Sequence, residues 1–359
     1  MTNRERILAT FRGEPVDRIV WQPRLEHWYN YNRKLGTLPE RYREMELLEV
    51  YDDLGCSVRY AGRPLRACYE KCNLRREQTG EGWAVYYETP IGTLTEVYRW
   101  GENATSSHHA KFPVERLEDI PVMEYFLADE RWEFDQEAFE AIEGRLGDRG
   151  VCQFYFARSG LQRLIINFMG FENTIYMLHD HRERVEQFLD HIERCDDHLF
   201  EMLCASPVQI LNFGDNIDAF LSPPPLFERY LMPHYERRCE QLHAAGKFTH
   251  IHMDGHLKPL LPLLSKLPHH AIEAPTPLPQ GDVTCEELAE AMGEKIMIDG
   301  ITCLHFLPQY SYQELEEFAL RLLDLFSPRC ILGISDEISP PGDIEKVRFV
   351  SEIVAQYSP

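Results

Sequence analysis

The chain has 359 residues, of which 44% are hydrophobic and 27% are charged, a composition typical of a folded globular protein with one large α/β domain or two smaller ones. Its 37 basic and 59 acidic residues give a formal net charge of −22, which argues against nucleic acid or an anionic membrane as a partner, because both need a cationic surface. No apolar run is as long as a bilayer span and the first residues lack the apolar core of a signal peptide, so we expect a cytoplasmic protein.

An amphipathic helix is predicted at the start of the chain. Thr2 and Glu5 have the spacing of a capping box, and Ile7 and Phe11 lie one helical turn apart on the apolar face. A short buried strand is expected next, at residues 18–21. The helix is therefore predicted to be an extension that precedes the first strand of the main fold.

Alternating apolar and polar residues indicate a β-hairpin between residues 73 and 101. Its strands are predicted at 83–89 and 93–98, with turn residues at 90–92 between them. We expect this hairpin to be an insertion within one domain that spans residues 1–359.

From about residue 137 the pattern changes to strands that alternate with amphipathic helices. With the two N-terminal strands, eight βα units are predicted, and their strands lie near residues 18–21, 56–60, 151–156, 208–213, 247–252, 270–273, 295–298 and 330–334. Eight such units favour a closed (β/α)8 TIM barrel over an open doubly wound sheet. No glycine-rich nucleotide-binding motif follows any strand, which also argues against the open sheet.

The loops that follow the strands of a TIM barrel meet at one end and form its active site. The polar residues at these predicted strand ends are Arg24, Glu26, His27, Arg63, Arg158, Asp215, His252, Asp254, Glu273, Asp299, Asp336 and Glu337. Buried carboxylates without partners would be costly, so they require a metal, a cationic or hydrogen-bonding ligand, or salt bridges with arginines such as Arg24, Arg63 and Arg158. His256 follows the fifth strand closely and, like Asp215, is a candidate for orienting a ligand or water.

The first residues, Asn3-Arg4-Glu5-Arg6-Ile7-Leu8 and Arg12-Gly13-Glu14-Pro15-Val16-Asp17-Arg18, resemble the opening of the uroporphyrinogen decarboxylase superfamily, in particular its corrinoid-linked methyltransferase branch. The strand order, the hairpin and the C-terminal segment 333–343 are similar as well. The resemblance therefore extends over nearly the whole chain.

In the methyltransferase branch a zinc ion is held by a His-x-Cys pair, a carboxylate after the next strand and a cysteine near the last strand. The resemblance places these ligands here at His252, Asp254, Glu273 and Ser335 or Asp336. Aspartates at both cysteine positions make a hard, oxygen-dominated set, for which zinc, manganese or iron would be suitable. The chain also departs from true uroporphyrinogen decarboxylase, because residues 22–27 replace its arginine-rich segment and the Ser-Asp after its second strand is absent.

The resemblance implies a methyltransferase that acts with a corrinoid protein or a small methylated substrate at a metal site, with His252, Asp254, Glu273 and Asp336 as ligands. Asp336, His252 and Asp215 are the predicted catalytic residues, and Arg24, His27, Arg158 and His256 are predicted to bind substrate. Two alternatives are a metal-independent decarboxylase or lyase that moves protons through Asp336 and His252, and a non-catalytic binder of a tetrapyrrole or corrinoid protein. The substrate, the methyl acceptor and the oligomeric state are left open.

Overall fold

The structure is a computed structural model that describes residues 1–102 and 104–359, together with the backbone at position 103. The strands of the described chain are β1 (Val20–Trp21), β2 (Leu65–Cys68), β3 (Asn73–Thr79), β4 (Gly82–Thr89), β5 (Gly92–Trp100), β6 (Ser107–Lys111), β7 (Arg131–Phe134), β8 (Ile210–Ile217), β9 (Phe248–Met253), β10 (Ala271–Glu273), β11 (Ile296–Thr302) and β12 (Cys330–Ser335).

The α-helices are α1 (Asn3–Arg12), α2 (Glu26–Leu35), α3 (Leu47–Asp53), α4 (Ile120–Asp129), α5 (Gln136–Leu146), α6 (Gly160–Gln162), α7 (Phe171–Asp180), α8 (Arg182–Cys195), α9 (Asp197–Ala205), α10 (Pro224–Leu226), α11 (Met232–Ala244), α12 (Leu261–Leu264), α13 (Cys285–Met292), α14 (Tyr312–Phe326) and α15 (Ile344–Gln356). Two π-helical segments, Arg163–Phe168 and Phe227–Leu231, continue α6 and α10. Short 3-10 helices lie at Glu40–Tyr42, Glu102–Ala104, Leu117–Asp119, Gly147–Arg149, Lys258–Leu260 and Cys303–Phe306.

The described chain divides into two compact units. The first comprises Met1–Arg63, Gln136–Ala157 and Pro207–Pro359, and the second comprises Pro64–Asp135 and Arg158–Ser206. The expectation of one domain over residues 1–359 stays a prediction. Among the described helices, none is both long and apolar enough to cross a membrane.

The first unit is a parallel barrel built from six strands and two extended segments. Six strands pair in the order β1-β12-β11-β10-β9-β8. The extended segments 56–59 and 149–156 fill the remaining two positions: Ser57 N donates to Trp21 O at 2.8 Å, Val58 N donates to Arg149 O at 3.1 Å, and Asn212 N donates to Phe154 O at 3.3 Å. These bonds close the ring, and the predicted (β/α)8 fold is confirmed.

The amino-terminal end of the barrel is filled by apolar side chains. Ile7 and Phe11 of α1 join one cluster with residues of the barrel strands, namely Val20, Val151, Ile210, Ala271, Ile296, Ile298 and Ile331. The predicted capping box is present, because Thr2 Oγ1 accepts from Glu5 N at 3.2 Å and Glu5 accepts from Thr2 N at 2.7 Å. Each buried aliphatic side chain contributes roughly 1.5–3 kcal/mol relative to exposure, so this end supplies stability and leaves the other end to polar groups.

The second unit contains a four-stranded antiparallel sheet in the order β3-β4-β5-β6. The predicted hairpin forms its two central strands, β4 and β5. The flanking strands β3 and β6 make it a larger insertion than a single hairpin. On one face, Tyr87 packs against Phe126 of α4 with ring centroids 5.0 Å apart.

Gly150 lies where the second and third barrel positions meet, and a Cβ there would lie 2.1 Å from Val58 O. We expect Gly150→Ala to lower the free energy of unfolding by about 1–3 kcal/mol, because the closing contact must open to admit the methyl group. Gly144→Ala is the control, since it adds a Cβ to α5 with no atom within 4 Å. Gly144→Ala should be neutral or stabilising by up to about 1 kcal/mol in urea denaturation, and equal stability of the two variants would contradict the closure.

Candidate active site

Glu273, the last residue of β10, is fully buried and accepts hydrogen bonds at both oxygens. Its Oε1 accepts from Arg59 Nη1 at 2.7 Å, Tyr60 Oη at 2.8 Å and Tyr155 Oη at 3.2 Å. Its Oε2 accepts from Asn212 Nδ2. Burial would raise the pKa of Glu273, but the Arg59 guanidinium and two nearby histidines outweigh burial and hold it well below its usual range. Glu273 is therefore an ionised carboxylate.

The Arg59 guanidinium is shared between two buried carboxylates. Besides Glu273 it binds Asp299 of β11, to which Nη1 donates at 2.9 Å and Nη2 donates at the second oxygen. Its Nε donates to Gln22 Oε1 at 3.0 Å, and Nη2 donates to Gln22 O at 3.3 Å. Burial raises the pKa of Asp299 and the Arg59 guanidinium opposes that rise. One fixed cation is thus shared by two carboxylates and compensates half of the negative charge of the pair.

Two histidines of β9 approach Glu273 from the other side. His250 Nδ1 lies 3.5 Å and His252 Nδ1 lies 3.8 Å from Glu273 Oε2. Residues two apart on a strand point to the same side, which is why both face the same oxygen. At these distances the contacts are ion-pair approaches rather than hydrogen bonds. We call Glu273 and its neighbours Arg59, Tyr60, Tyr155, Asn212, His250, His252 and Asp299 the Glu273 cluster.

The two histidines differ in charge. Burial lowers the pKa of His250, whose Nε2 lies 3.0 Å from Gln153 Oε1. Burial would also lower the pKa of His252, but the carboxylates of Glu273, Asp336 and Asp254 raise it to about 9. His252 is therefore an imidazolium at neutral pH and His250 a neutral imidazole.

Asp254 and Asp336 lie just beyond β9 and β12. Burial raises the pKa of Asp254, and the negative charge of Asp336 adds to that rise while His252 opposes it. Asp336 is bound by Arg24 Nη1, and Arg24 Nη2 lies 3.5 Å from Glu337 Oε1. The Arg24 guanidinium also lies 5.4 Å from the centre of the Tyr60 ring. Acidic groups therefore surround His252, and Arg24 neutralises part of their charge.

The residues predicted as metal ligands share this environment, and two of them, Glu273 and Asp336, already have polar partners. Glu273 accepts four hydrogen bonds and Asp336 is paired with Arg24. In the described part of the chain, no three His, Cys, Asp or Glu side chains are grouped as a metal site requires. Coordination needs free carboxylate lone pairs and at least three ligands grouped together, so the described arrangement does not fit a metal ion. Of the arginines expected as alternative partners, Arg24 has that role, and Arg59 occupies the place expected for Arg63 or Arg158.

Asp215 and His256 have partners of their own. Asp215 is buried and accepts a hydrogen bond from Tyr235 Oη of α11 at 2.6 Å. His256 is half-exposed, with Nδ1 3.4 Å from Asp218 Oδ2 and its ring 4.2 Å from that of Phe220. Their predicted catalytic and substrate-binding roles stay predictions.

His27 and Arg158 are also placed by the structure. His27 is exposed near the start of α2, its ring is 6.4 Å from that of Tyr31, and its backbone N donates to Glu337 Oε2 at 3.0 Å. Arg158 is the first residue of a segment of the second unit, where its carbonyl accepts from Arg163 Nε at 3.1 Å. Substrate binding by either residue stays a prediction.

Several members of the Glu273 cluster were absent from the predicted site. The most important is Arg59, which lies inside the predicted second strand rather than after it. The sequence contains a signal for Arg59, because an arginine within a buried strand requires a buried partner. Tyr60, Tyr155 and Asn212 gave no comparable signal, because tyrosine and asparagine at strand ends are ordinary in any sheet.

The barrel and the polar cluster at the carboxyl ends of its strands define a (β/α)8 protein with the architecture of a TIM-barrel enzyme. The sequence profile of the uroporphyrinogen decarboxylase (URO-D) family matches residues 119–357, about two thirds of the chain. The chain therefore belongs to this family, and the predicted membership is confirmed. No curated protein matches the chain.

One solved structure shows the same fold, and a second is less similar. A methyltransferase from Methanosarcina mazei is 14% identical with a TM-score of 0.63, and the match covers 99% of each chain. A B12-independent methionine synthase from Shewanella sp. is 12% identical with a TM-score of 0.47, and the match covers 89% of this chain and 91% of the other. At these identities the likeness to the Methanosarcina protein concerns the fold, and it extends over the full length of the chain.

The ionisation of His252 can be measured. We expect its ring to remain protonated to about pH 8 and to titrate near pH 9, whereas His305, whose pKa burial lowers to about 4, should be neutral from pH 6 upward. A raised folded-state pKa stabilises the protein fully below the unfolded value of about 6.5, and this contribution is lost as the pH rises through about 9. Nitrogen-15 NMR of the histidine rings, assigned with His252→Gln, measures the titration, and a pKa below 6.5 would contradict the ion pairing.

Loss of Arg59 should expose the cost of the buried carboxylates. We expect Arg59→Met to lower the free energy of unfolding by about 3–5 kcal/mol at pH 7, since Glu273 and Asp299 lose their cation. Arg321→Met is the matched control, because Arg321 pairs with Glu286 at 2.6 Å on the exposed surface. Exposed pairs contribute less than about 1 kcal/mol. Similar losses for the two variants in thermal denaturation at several pH values would refute a buried ionic cluster.

Proposed function

We propose that this chain is an enzyme that removes a methyl group from a small methylated substrate, with His252 as the proton donor to the leaving heteroatom. The observation that carries the proposal is the buried imidazole of His252 beside three carboxylates at the strand ends. Its Nδ1 faces Glu273, which leaves Nε2 as the ring nitrogen that can reach a substrate. Full-length likeness to the Methanosarcina methyltransferase fold supports this choice of reaction.

In the proposed reaction the bond between the methyl carbon and the heteroatom breaks. The heteroatom keeps the bonding electron pair and takes the proton from His252 Nε2, so it leaves as a neutral group. A reduced corrinoid carried by a partner protein, as the family resemblance implies, supplies the nucleophile that accepts the methyl group. Glu273, Asp254 and Asp336 keep His252 protonated until transfer, and water restores the proton afterwards.

Arg24 is proposed to orient the substrate. Its guanidinium lies at the strand ends beside Asp336 and over Tyr60, and its Nε is buried without a hydrogen-bond partner. An anionic substituent on the substrate could replace Asp336 as the acceptor of the Arg24 N–H groups. Asp215, His27, Arg158 and His256 are kept as proposed supporting residues, Asp215 for catalysis and the other three for substrate binding.

Decarboxylation by the same residues is the second candidate. Family membership and the pairing of the acidic groups with Arg24 and Arg59 favour it. In that reaction a carbon–carbon bond breaks, CO2 leaves, and His252 delivers its proton to the carbon. A zinc, manganese or iron site at His252, Asp254, Glu273 and Asp336 is the least supported variant, because of the contacts these residues make. The cytoplasmic location expected from the sequence also stays a proposal.

Activity should depend on His252. We expect the purified chain to transfer methyl groups from an aryl methyl ether to reduced cobalamin, measured by the change in cobalamin absorbance and by mass spectrometry of the product. His252→Asn should lower kcat by about 100-fold or more with little change in KM, as loss of a general acid does. His179→Asn is the control, because the side chain of His179 is 85% exposed in the second unit.

Assays on the same protein variants distinguish the two proposed reactions. Release of CO2 from carboxylated aromatic compounds, lost in His252→Asn, with no methyl transfer would replace the first reaction by the second. Equal activity of His252→Asn and His179→Asn would contradict both. Substrate binding without turnover would support the non-catalytic alternative instead.

A further inference from the structure

Arg59 has no capacity left for a substrate. A guanidinium carries five N–H groups. Those of Arg59 are all donated within the protein, two to Gln22, two to Asp299 and one to Glu273. The side chain is 1% exposed, and the side chains of Glu273 and Asp299 are not exposed at all. The function of Arg59 is therefore to supply a fixed charge to its neighbours.

The backbone is adapted to hold this arrangement. Asp299 has a φ of 82°, a left-handed conformation that residues other than glycine rarely adopt within a strand. On the neighbouring strand, a Cβ at Gly333 would lie 2.2 Å from Asp299 Oδ1, so only glycine leaves room for this carboxylate. Strain of this kind persists where the surroundings determine the conformation strongly, as at functional sites.

The atoms around the guanidinium are those that a hard divalent cation prefers. They are the carboxylates of Glu273 and Asp299 and the side-chain oxygen of Gln22, with His250 and His252 on the far side of Glu273. Oxygen ligands of this type suit Mg²⁺ or Mn²⁺. The family resemblance implies a metal near these strands, yet Arg59 already supplies positive charge to both carboxylates.

We propose that Arg59 is a resident cation that takes the place of a divalent metal in this barrel. The wild-type chain accordingly binds no metal at the strand ends, and removal of the Arg59 side chain turns Glu273, Asp299 and Gln22 into a metal site. This inference concerns cation binding and holds for either of the two proposed reactions.

Mn²⁺ binding tests the proposal without any activity assay. Electron paramagnetic resonance of free Mn²⁺ should show less than about 0.1 equivalent bound to the wild-type chain, and its thermal midpoint should not change with metal. Arg59→Ser should bind about one equivalent, and its midpoint should rise with Mn²⁺ concentration because only the folded form holds the site. Arg59→Ser combined with Glu273→Gln should lose this binding, and Arg59→Lys, which keeps a cation, should bind none.

Two results would overturn the proposal. One is an equivalent of Zn²⁺, Mn²⁺ or Fe²⁺ bound by the wild-type chain and removed by Glu273→Gln. The other is a folded Arg59→Ser that binds no metal, which would mean that Glu273 and Asp299 take up protons instead. If Arg59→Ser does not fold even with Mn²⁺, Arg59→Gln is measured in the same way, because it keeps an amide donor near Glu273. Metal binding by the wild-type chain is an independent test.

Discussion

The carboxyl end of the barrel depends on the burial of the Arg59 guanidinium between Glu273 and Asp299. Removing charged groups from water costs several kcal/mol for each ion, and the attraction within such a pair rarely exceeds that cost by much. An apolar set of the same volume would therefore stabilise the barrel equally well. The network has a positional consequence instead, because Glu273, once fixed by Arg59, holds Tyr60, Tyr155 and Asn212 and presents its second oxygen to two histidines.

The two ends of the barrel differ in polarity because single strands carry apolar residues at one end and charged residues further along. Along β11, Ile296 and Ile298 belong to the apolar cluster, and Asp299, which directly follows Ile298 at the middle of the strand, carries a charge. Ile7 and Phe11 of α1 cover the apolar end. The free energy gained by burial there offsets the cost of backbone strain and buried charge at the polar end. The geometry at the carboxyl ends of the strands thus rests on burial at the opposite end of the barrel, where α1 packs against the strands.

Much of the fold could be predicted because each element has a local signal. The capping residues Thr2 and Glu5, the hairpin turn at 90–92 and the strand that ends at His252 all rest on patterns within a few residues. The Glu273 cluster depends on which side chains meet across the barrel, and no short pattern encodes that. Arg59 illustrates the difference, because its partners lie 214 and 240 positions further along the chain. A guanidinium on a long, flexible side chain can reach several strands, so strand-end position alone pointed to Arg63 and Arg158.

The proposed acid–base assignment rests on two histidines that lie two residues apart on β9 and differ in charge. His250 and His252 face the same Glu273 oxygen, yet burial dominates the pKa of His250 while carboxylates dominate that of His252. The cause is position along β9: His250 lies deeper, in contact with the amide of Gln153, and His252 lies next to the strand end, where Asp254 and Asp336 add negative charge. Pairs of titratable groups whose surroundings move their pKa values apart identify the acid and the base of a site. In the proposed reaction His252, which is charged and lies next to the strand end, is therefore the proton donor, and His250 is placed to hold Glu273.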